Sequence, residues 1–291
     1  MFLGAAQLAV GAAAIFARFA LSGAPPLTVS AARLTIASIV LLALGLVRSP
    51  ASLRLSGRNA AILAAGGCAL AVHFATWIAS LQYTSVAIST LLVATTPIWT
   101  AAYDAVVLHR RLTRRALAAF VTGAAGVYAV VGFNRTPAPI HGHEIAGALL
   151  ALTGGAAIAV YFILVREVRA EIDTRTIVTH TYTWAAIVLV VAAAVLREPL
   201  PPANDTVAWG GIVAMALISQ LIGHTAMNAS LRWFTPSAVA FSTLLEPVVA
   251  AVLALLLLRE SVAPIAIVGA LVLLGSIAVV LREEPVMAET A

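Results

Sequence analysis

Three observations predict an all-α integral membrane protein of ten transmembrane helices, arranged as two inverted five-helix repeats. Hydrophobic residues make up 62% of the 291-residue chain and charged ones only 10%, where a soluble domain carries about 25% charged residues. With a mean hydropathy of +1.03, most of the chain has lipid as its solvent. Apolar runs of about 17–25 residues recur along it, long enough to cross a bilayer core about 30 Å thick. Finally, the chain repeats itself. At an offset of 150, Ala79-Ser80-Leu81 meets Ala229-Ser230-Leu231, Tyr83 meets Trp233, Pro97 meets Pro247 and Leu108 meets Leu258, without a gap from residue 79 to 112. A second echo, at an offset of 143, joins Gly4, Gly11, Ala14-Ile15 and Phe19 to Gly147, Gly154, Ala157-Ile158 and Phe162. Period-two alternation is missing, which excludes a β-barrel.

The first run, 2–21, has no basic stretch before its apolar core and reads as a span rather than a cleavable signal. The second, 29–47, follows Pro25-Pro26 and stops at Arg48. The third, 60–82, and the fourth, 85–108, are separated only by Tyr83-Thr84, so they form a tight antiparallel hairpin. The fifth, 115–132, closes the first repeat at 1–132; residues 133–143 form a linker. The sixth to eighth runs occupy 144–166, 175–196 and 207–231. The ninth, 236–258, follows the short Phe234-Thr235 connection, and the tenth, 262–281, ends the second repeat at 144–281 before a tail at 282–291.

Orientation follows from arginine, because Lys is absent and all 17 basic residues are Arg. Alternate loops and the tail on one side hold Arg48, Arg54, Arg58, Arg110, Arg111, Arg114, Arg115, Arg166, Arg169, Arg175, Arg232 and Arg282. The other side holds only Arg135, Arg197 and Arg259. The positive-inside rule then puts both termini in the cytoplasm. Five helices per half is an odd number, so the halves insert upside down relative to each other about an axis in the membrane plane.

Charge in short loops between apolar runs sets membrane orientation and excludes nucleic-acid binding. The single cysteine, Cys68, excludes an intramolecular disulfide, and no Cys/His spacing suits a metal. Neither a Walker motif nor GxSG, HExxH or paired Asp motifs occur, and nothing resembles a repeated selectivity filter. No catalytic residue, cofactor or metal is expected.

Several motifs carry a resemblance. They are Val10-Gly11, Pro25-Pro26 with Ala32-Arg33-Leu34 in helix 2, and Ser80-Leu81-Gln82-Tyr83-Thr84-Ser85-Val86-Ala87 between helices 3 and 4. Thr96-Pro97, Glu246-Pro247, Leu258-Arg259-Glu260 and Gly269 with Gly275 complete the set. Together they resemble the drug/metabolite transporter superfamily, specifically its ten-helix EamA-type members, over nearly the whole chain. Val10 stands where that family commonly has Trp, and Glu precedes the proline only in the second half, Thr96 taking its place in the first. The resemblance implies a secondary transporter in a bacterial inner membrane, using no ATP and exporting small metabolites, amino acids first. One branch it resembles is the bacterial aromatic amino-acid exporters; a multidrug or hydrophobic-compound efflux carrier is the alternative. The expected partners are a small-molecule substrate and membrane lipid, the carrier acting as a monomer. In inverted-repeat carriers the substrate site lies at the repeat interface.

Candidate substrate-binding residues are the polar and aromatic side chains at depth. Helix 3 offers His73, Trp77 and Ser80 on one face, helix 4 Thr96 and Trp99, and helix 6 Tyr161. Helix 8 carries Gln220, His224, Asn228 and Arg232 at a spacing of four, one polar stripe that cannot face lipid cheaply. Pro97 and Pro247 free a backbone carbonyl in helices 4 and 9 and are candidate hinges. Glu246, the deepest carboxyl, is the candidate proton carrier. Arg33 and Arg18 sit about five residues inside helices 2 and 1; a substrate carboxylate would suit Arg33, but snorkelling to the interface is the expectation for both. Asp104 is expected to meet Arg110 and Arg111 or to act as a solvated cap.

Overall fold

The computed structural model describes residues 2–48, 55, 57–109, 111, 113–132, 140, 142–230 and 243–283. Among them all regular structure is helical, as a lipid solvent demands, because a helix pairs its own backbone donors and acceptors. Among the described residues seven helices are long and apolar enough to span a membrane singly, and three shorter apolar helices, Ala5–Leu21, Leu245–Leu258 and Pro264–Val280, bring these to ten.

We number the spans α1 to α10. They are α1 (Phe2–Gly11 with Ala13–Leu21), α2 (Pro26–Arg48), α3 (Gly57–Tyr83), α4 (Val86–Val93 with Thr96–Val106) and α5 (Arg114–Gly132). The second repeat supplies α6 (Glu144–Val168), α7 (Thr174–Val195), α8 (Thr206–Ala214, Met215–His224 and Thr225–Ser230), α9 (Leu245–Leu253 with Ala254–Leu258) and α10 (Pro264–Glu283). The expected start of the ninth span, 236–242, lies outside the described residues.

Capping explains several boundaries. The Ser85 hydroxyl accepts from Ile88 N–H to open α4, Asp173 accepts from Thr176 N–H to open α7, and Asp205 accepts from Ala208 N–H to open α8. α2 starts at Pro26, three residues earlier than the sequence predicts; proline suits the first helical turn, where its missing donor has no partner anyway.

The same logic changes the reading of Pro97 and Pro247. Neither bends a continuous helix. α4 stops at Val93, turns through Ala94-Thr95 and restarts with Pro97 as its second residue. α9 starts at Leu245 after a turn at 243–244, with Pro247 as its third residue. At the far ends of these two helices His109 and Arg259, again 150 apart, share left-handed backbone at φ 52° and 57°. Backbone and sequence thus repeat together.

The packing has the matching symmetry. α2 lies on α7 and α5 on α10, while α3 on α6 is mirrored by α1 on α8. Small residues permit the close approaches: a methyl group on Gly126 would meet Gly269 O at 2.9 Å, and one on Gly269 would meet Gly126 O at 3.0 Å. The largest buried cluster runs through α1, α2, α3, α6 and α7, and apolar side chains such as Ile39, Val121, Ile145 and Leu256 face outward.

Candidate functional site

The centre of the molecule lies where the repeats meet. Phe74 of α3 and His224 of α8, paired by the 150-residue offset, touch edge to face with ring centroids 6.0 Å apart. Around them gather Arg33 from α2, His73 and Trp77 from α3, Tyr182 from α7 and Gln220 from α8.

Arg33 is the most unexpected member. Starting α2 at Pro26 places it seven residues, about 10 Å, along the helix, and its exposure is 0%. It does not snorkel. Its Nη2 donates to Gln220 Oε1 at 2.5 Å, and its guanidinium carbon lies 4.1 Å over the Phe74 ring and 5.9 Å from that of Trp77. Its Nε and Nη1 are buried without a hydrogen-bond partner. No described carboxylate forms an ion pair with it.

Gln220 reaches Arg33 from a widened turn of α8. Met215–His224 is a π-helix whose end is closed by Thr225 N–H donating to Gln220 O, five residues back. The Thr225 hydroxyl donates to the same carbonyl at 3.3 Å. π-Helical segments within α-helices recur at functional sites.

The expected residues divide. His73 lies in the cluster: a carbonyl only accepts, so its Nδ1–H donates to Gly154 O at 2.9 Å, which leaves Nε2 as the acceptor of the neutral ring. It stacks on Trp77 at 6.1 Å with ring planes 7° apart. Tyr161 is buried between α3 and α7, beside Thr181 and Tyr182. Ser80 is drawn away from the centre, its hydroxyl donating to Trp77 O and sharing a 2.6 Å bond with Ser89 of α4. Thr96 bridges the α4 break to α6, donating to Val93 O and Gly155 O. Trp99 is 40% exposed and donates to Thr95 Oγ1. The Asn228 side chain and all of Arg232 lie outside the described residues. Glu246 opens α9 against α1, where Gly11 approaches its carbonyl; it forms no described ion pair with Arg33.

The second buried arginine is bound differently. Arg18 Nη2 donates to Glu260 Oε1 at 2.7 Å and to Thr84 O at 3.0 Å, while Glu260 Oε2 accepts from Val86 N–H at 2.8 Å. This clasp ties α1 and the α3–α4 hairpin of one repeat to the end of α9 in the other. Arg18 therefore does not snorkel either. At the opposite end the ion pairs are more exposed: Arg58 with Glu167 at 3.5 Å, and Asp104 with Arg166 at 3.3 Å. Arg110 lies outside the described residues. On that side a cavity of about 240 Å³ is lined by Leu41, Asp173, Thr174, Arg175, Val178, Thr225 and Ala229. It reaches Thr225, whose hydroxyl meets Gln220, and Val178, one turn from Tyr182 on α7.

Sequence reasoning missed Phe74 and Tyr182 and misjudged Arg33. One signal was available: Pro26 as the first helical residue puts Arg33 beyond the interface. Phe74 and Tyr182 carry no such mark, being ordinary apolar and aromatic choices for a span.

A family model described as the EamA-like transporter family matches residues 1–132 and 145–282. A solved crystal structure, described only as that of a protein, superposes with TM-score 0.68 at 19% identity, covering 95% of this chain and 94% of that one. At that identity the likeness shows the fold. No curated protein matches.

Proposed function

We propose that this chain, which belongs to the EamA-like transporter family, exports small metabolites, amino acids first, across a bacterial inner membrane by alternating access. It is a multi-span membrane protein and, by its family, a transporter of small solutes rather than an enzyme. The observation that carries the finer reading is the central cluster. Both repeats contribute to it, Arg33, His73, Phe74 and Trp77 from the first and Tyr182, Gln220 and His224 from the second. A pocket of aromatic walls with a few convergent polar groups suits an amphipathic solute, and relative motion of the repeats would expose it to each side in turn.

The state described here supports the alternation. One end is closed by the buried clasp of Arg18, Glu260, Thr84 and Val86, the other only by more exposed ion pairs beside the 240 Å³ cavity. With both termini cytoplasmic, as the arginine distribution argues, the buried clasp is periplasmic and the cavity faces the cytoplasm. Residues 1–132 and 144–281 then act as the two moving units joined by 133–143, in a monomer. The turns at Pro97 and Pro247 serve as hinges, with Thr96 beside the first. Tyr161 and Asn228 extend the binding wall, Trp99 and Ser80 its α4 edge, and Glu246 couples transport to protons.

The test is counterflow of labelled amino acids into liposomes containing the purified chain, at two pH values, with wild type, Glu246→Gln and His73→Ala. The reading expects saturable flux in wild type. It expects pH sensitivity to be lost in Glu246→Gln and solute preference to change in His73→Ala. A folded protein that moves no small metabolite contradicts it.

A further inference from the structure

We propose that Arg33 is the anchor for a single carboxylate on the transported solute, so that the carrier takes amphipathic monocarboxylates and rejects their amides and amines. The inference rests on the carrier reading above and adds the substrate class. Three observations lead to it.

Arg33 is a fully buried cation whose one hydrogen bond among the described residues goes to the neutral amide oxygen of Gln220. Nε and Nη1, which carry three of the five guanidinium N–H hydrogens, have no partner. A buried charge is normally paired, because its desolvation is repaid only by an opposite charge in good geometry. The same chain shows what a structural answer looks like, in the pairing of Arg18 with Glu260.

The acidic residues cannot supply the missing partner. Of the twelve in the chain, Glu284 and Glu289 belong to the tail. Asp104, Glu167 and Glu260 pair with other arginines, Glu171 accepts from Asn59, and Asp173 and Asp205 cap helices. Glu198 accepts from Thr28 N–H and Glu144 from Gly142 N–H. Glu246 opens α9 and forms no described ion pair with Arg33, and Glu283 ends α10. Among the described residues no carboxylate pairs with Arg33, and the counter-charge arrives with the solute.

The surroundings define that solute. Guanidinium N–H donors match the two oxygens of a carboxylate. Among the described residues no second arginine joins the cluster, and the chain has no lysine, so one negative charge is matched and a phosphate dianion is not. Phe74 lies 4.1 Å under the guanidinium, and Trp77 continues the aromatic wall; an apolar or aromatic body fits there. Cationic and uncharged drugs would leave Arg33 unpaired in a closed site. The Arg33 donors therefore favour the amino-acid reading over the efflux of hydrophobic cations.

The test is flux in liposomes carrying the full chain, with four matched probes: phenylalanine, 3-phenylpropionate, phenylalaninamide and phenethylamine. A parallel leucine series and a panel of sugars, nucleosides and hydrophobic dyes accompany them. The expected result is movement of a carboxylate-bearing probe, with its amide and amine slower by at least about 30-fold, the factor lost when one partner of a buried charge pair is removed. Phenylalanine against 3-phenylpropionate then reports whether the amino group is also read. In Arg33→Gln the acid should lose its advantage over the amide, and Arg33→Lys should recover part of it. The wild-type comparison stands even where the Gln variant does not fold. Amide or amine moving as fast as the acid, or movement of sugars, nucleosides or dyes alone, overturns the anchor and leaves the carrier intact. Movement of nothing in the whole panel overturns the carrier reading, and the anchor with it.

Discussion

Arg18, partly buried, and Arg33, fully buried, are cations of the first repeat, one helix apart, and they have opposite surroundings. Arg18 meets a carboxylate and a backbone carbonyl, both at 3.0 Å or less, and its carboxylate partner in turn receives Val86 N–H. Arg33 meets one neutral oxygen and two aromatic faces, with two nitrogens left unpaired. Arg18 Nε is also buried without a hydrogen-bond partner, so the two differ in counter-charge: Arg18 has Glu260, and no described carboxylate pairs with Arg33. Burial alone therefore does not mark a functional charge; the lack of a described counter-charge does.

The contrast can be broken from either side. The largest expected effect is on flux through Arg33→Gln, which should fall by at least about 30-fold. Thermal unfolding of the variant in detergent should move little, because removing an unpaired buried charge offsets the lost bond to Gln220 Oε1. Next is the clasp. Glu260→Ala leaves Arg18 buried without its carboxylate and should destabilise the fold by about 3–5 kcal/mol. Adding Arg18→Met should recover much of that loss, measured by the same unfolding transition. Phe74→Leu removes the ring under Arg33 and should weaken solute affinity by about 0.5–2 kcal/mol while leaving the clasp untouched.

The smallest effect lies at the exposed end. Burial alone would raise the Asp173 carboxyl, but hydrogen bonds from the Thr176 hydroxyl and N–H, from Arg175 N–H, and the Arg175 charge hold it below the ordinary aspartate range. A carboxyl lowered on folding stabilises the native state above its unfolded value and loses that contribution as pH falls through its folded value. Asp173→Ala should cost about 0.5–2 kcal/mol at neutral pH, and the gap from wild type should close on acidification.

The fold was legible because lipid imposes a simple rule on sequence: an apolar run of the right length must become a helix. Pro97 and Pro247 were legible as places of disruption, though not as residues that follow a turn in the first turn of a helix, because a proline's effect depends on whether a turn precedes it. The central site was only half visible. His73, Trp77 and His224 stood out as polar or aromatic side chains at depth. Ser80 stood out equally, yet it is satisfied by Trp77 O and Ser89, since a hydroxyl can bond its own helix and periodicity does not reveal which option is taken. Arg33 was misjudged by a boundary error of three residues, enough to move it from the interface to the interior. The π-helix that carries Gln220 had no sequence mark, being a property of backbone hydrogen bonds and tertiary packing.

The central claim is that Arg33 awaits a ligand whereas Arg18 does not, and calorimetric titration tests it most directly. The fastest-moving carboxylate of the transport panel is titrated into purified wild type, Arg33→Gln and the Arg18→Met/Glu260→Ala pair. The account predicts one site per chain in wild type, no detectable binding in Arg33→Gln, and affinity within a few-fold of wild type in the paired variant. Equal affinity in Arg33→Gln and wild type would contradict it.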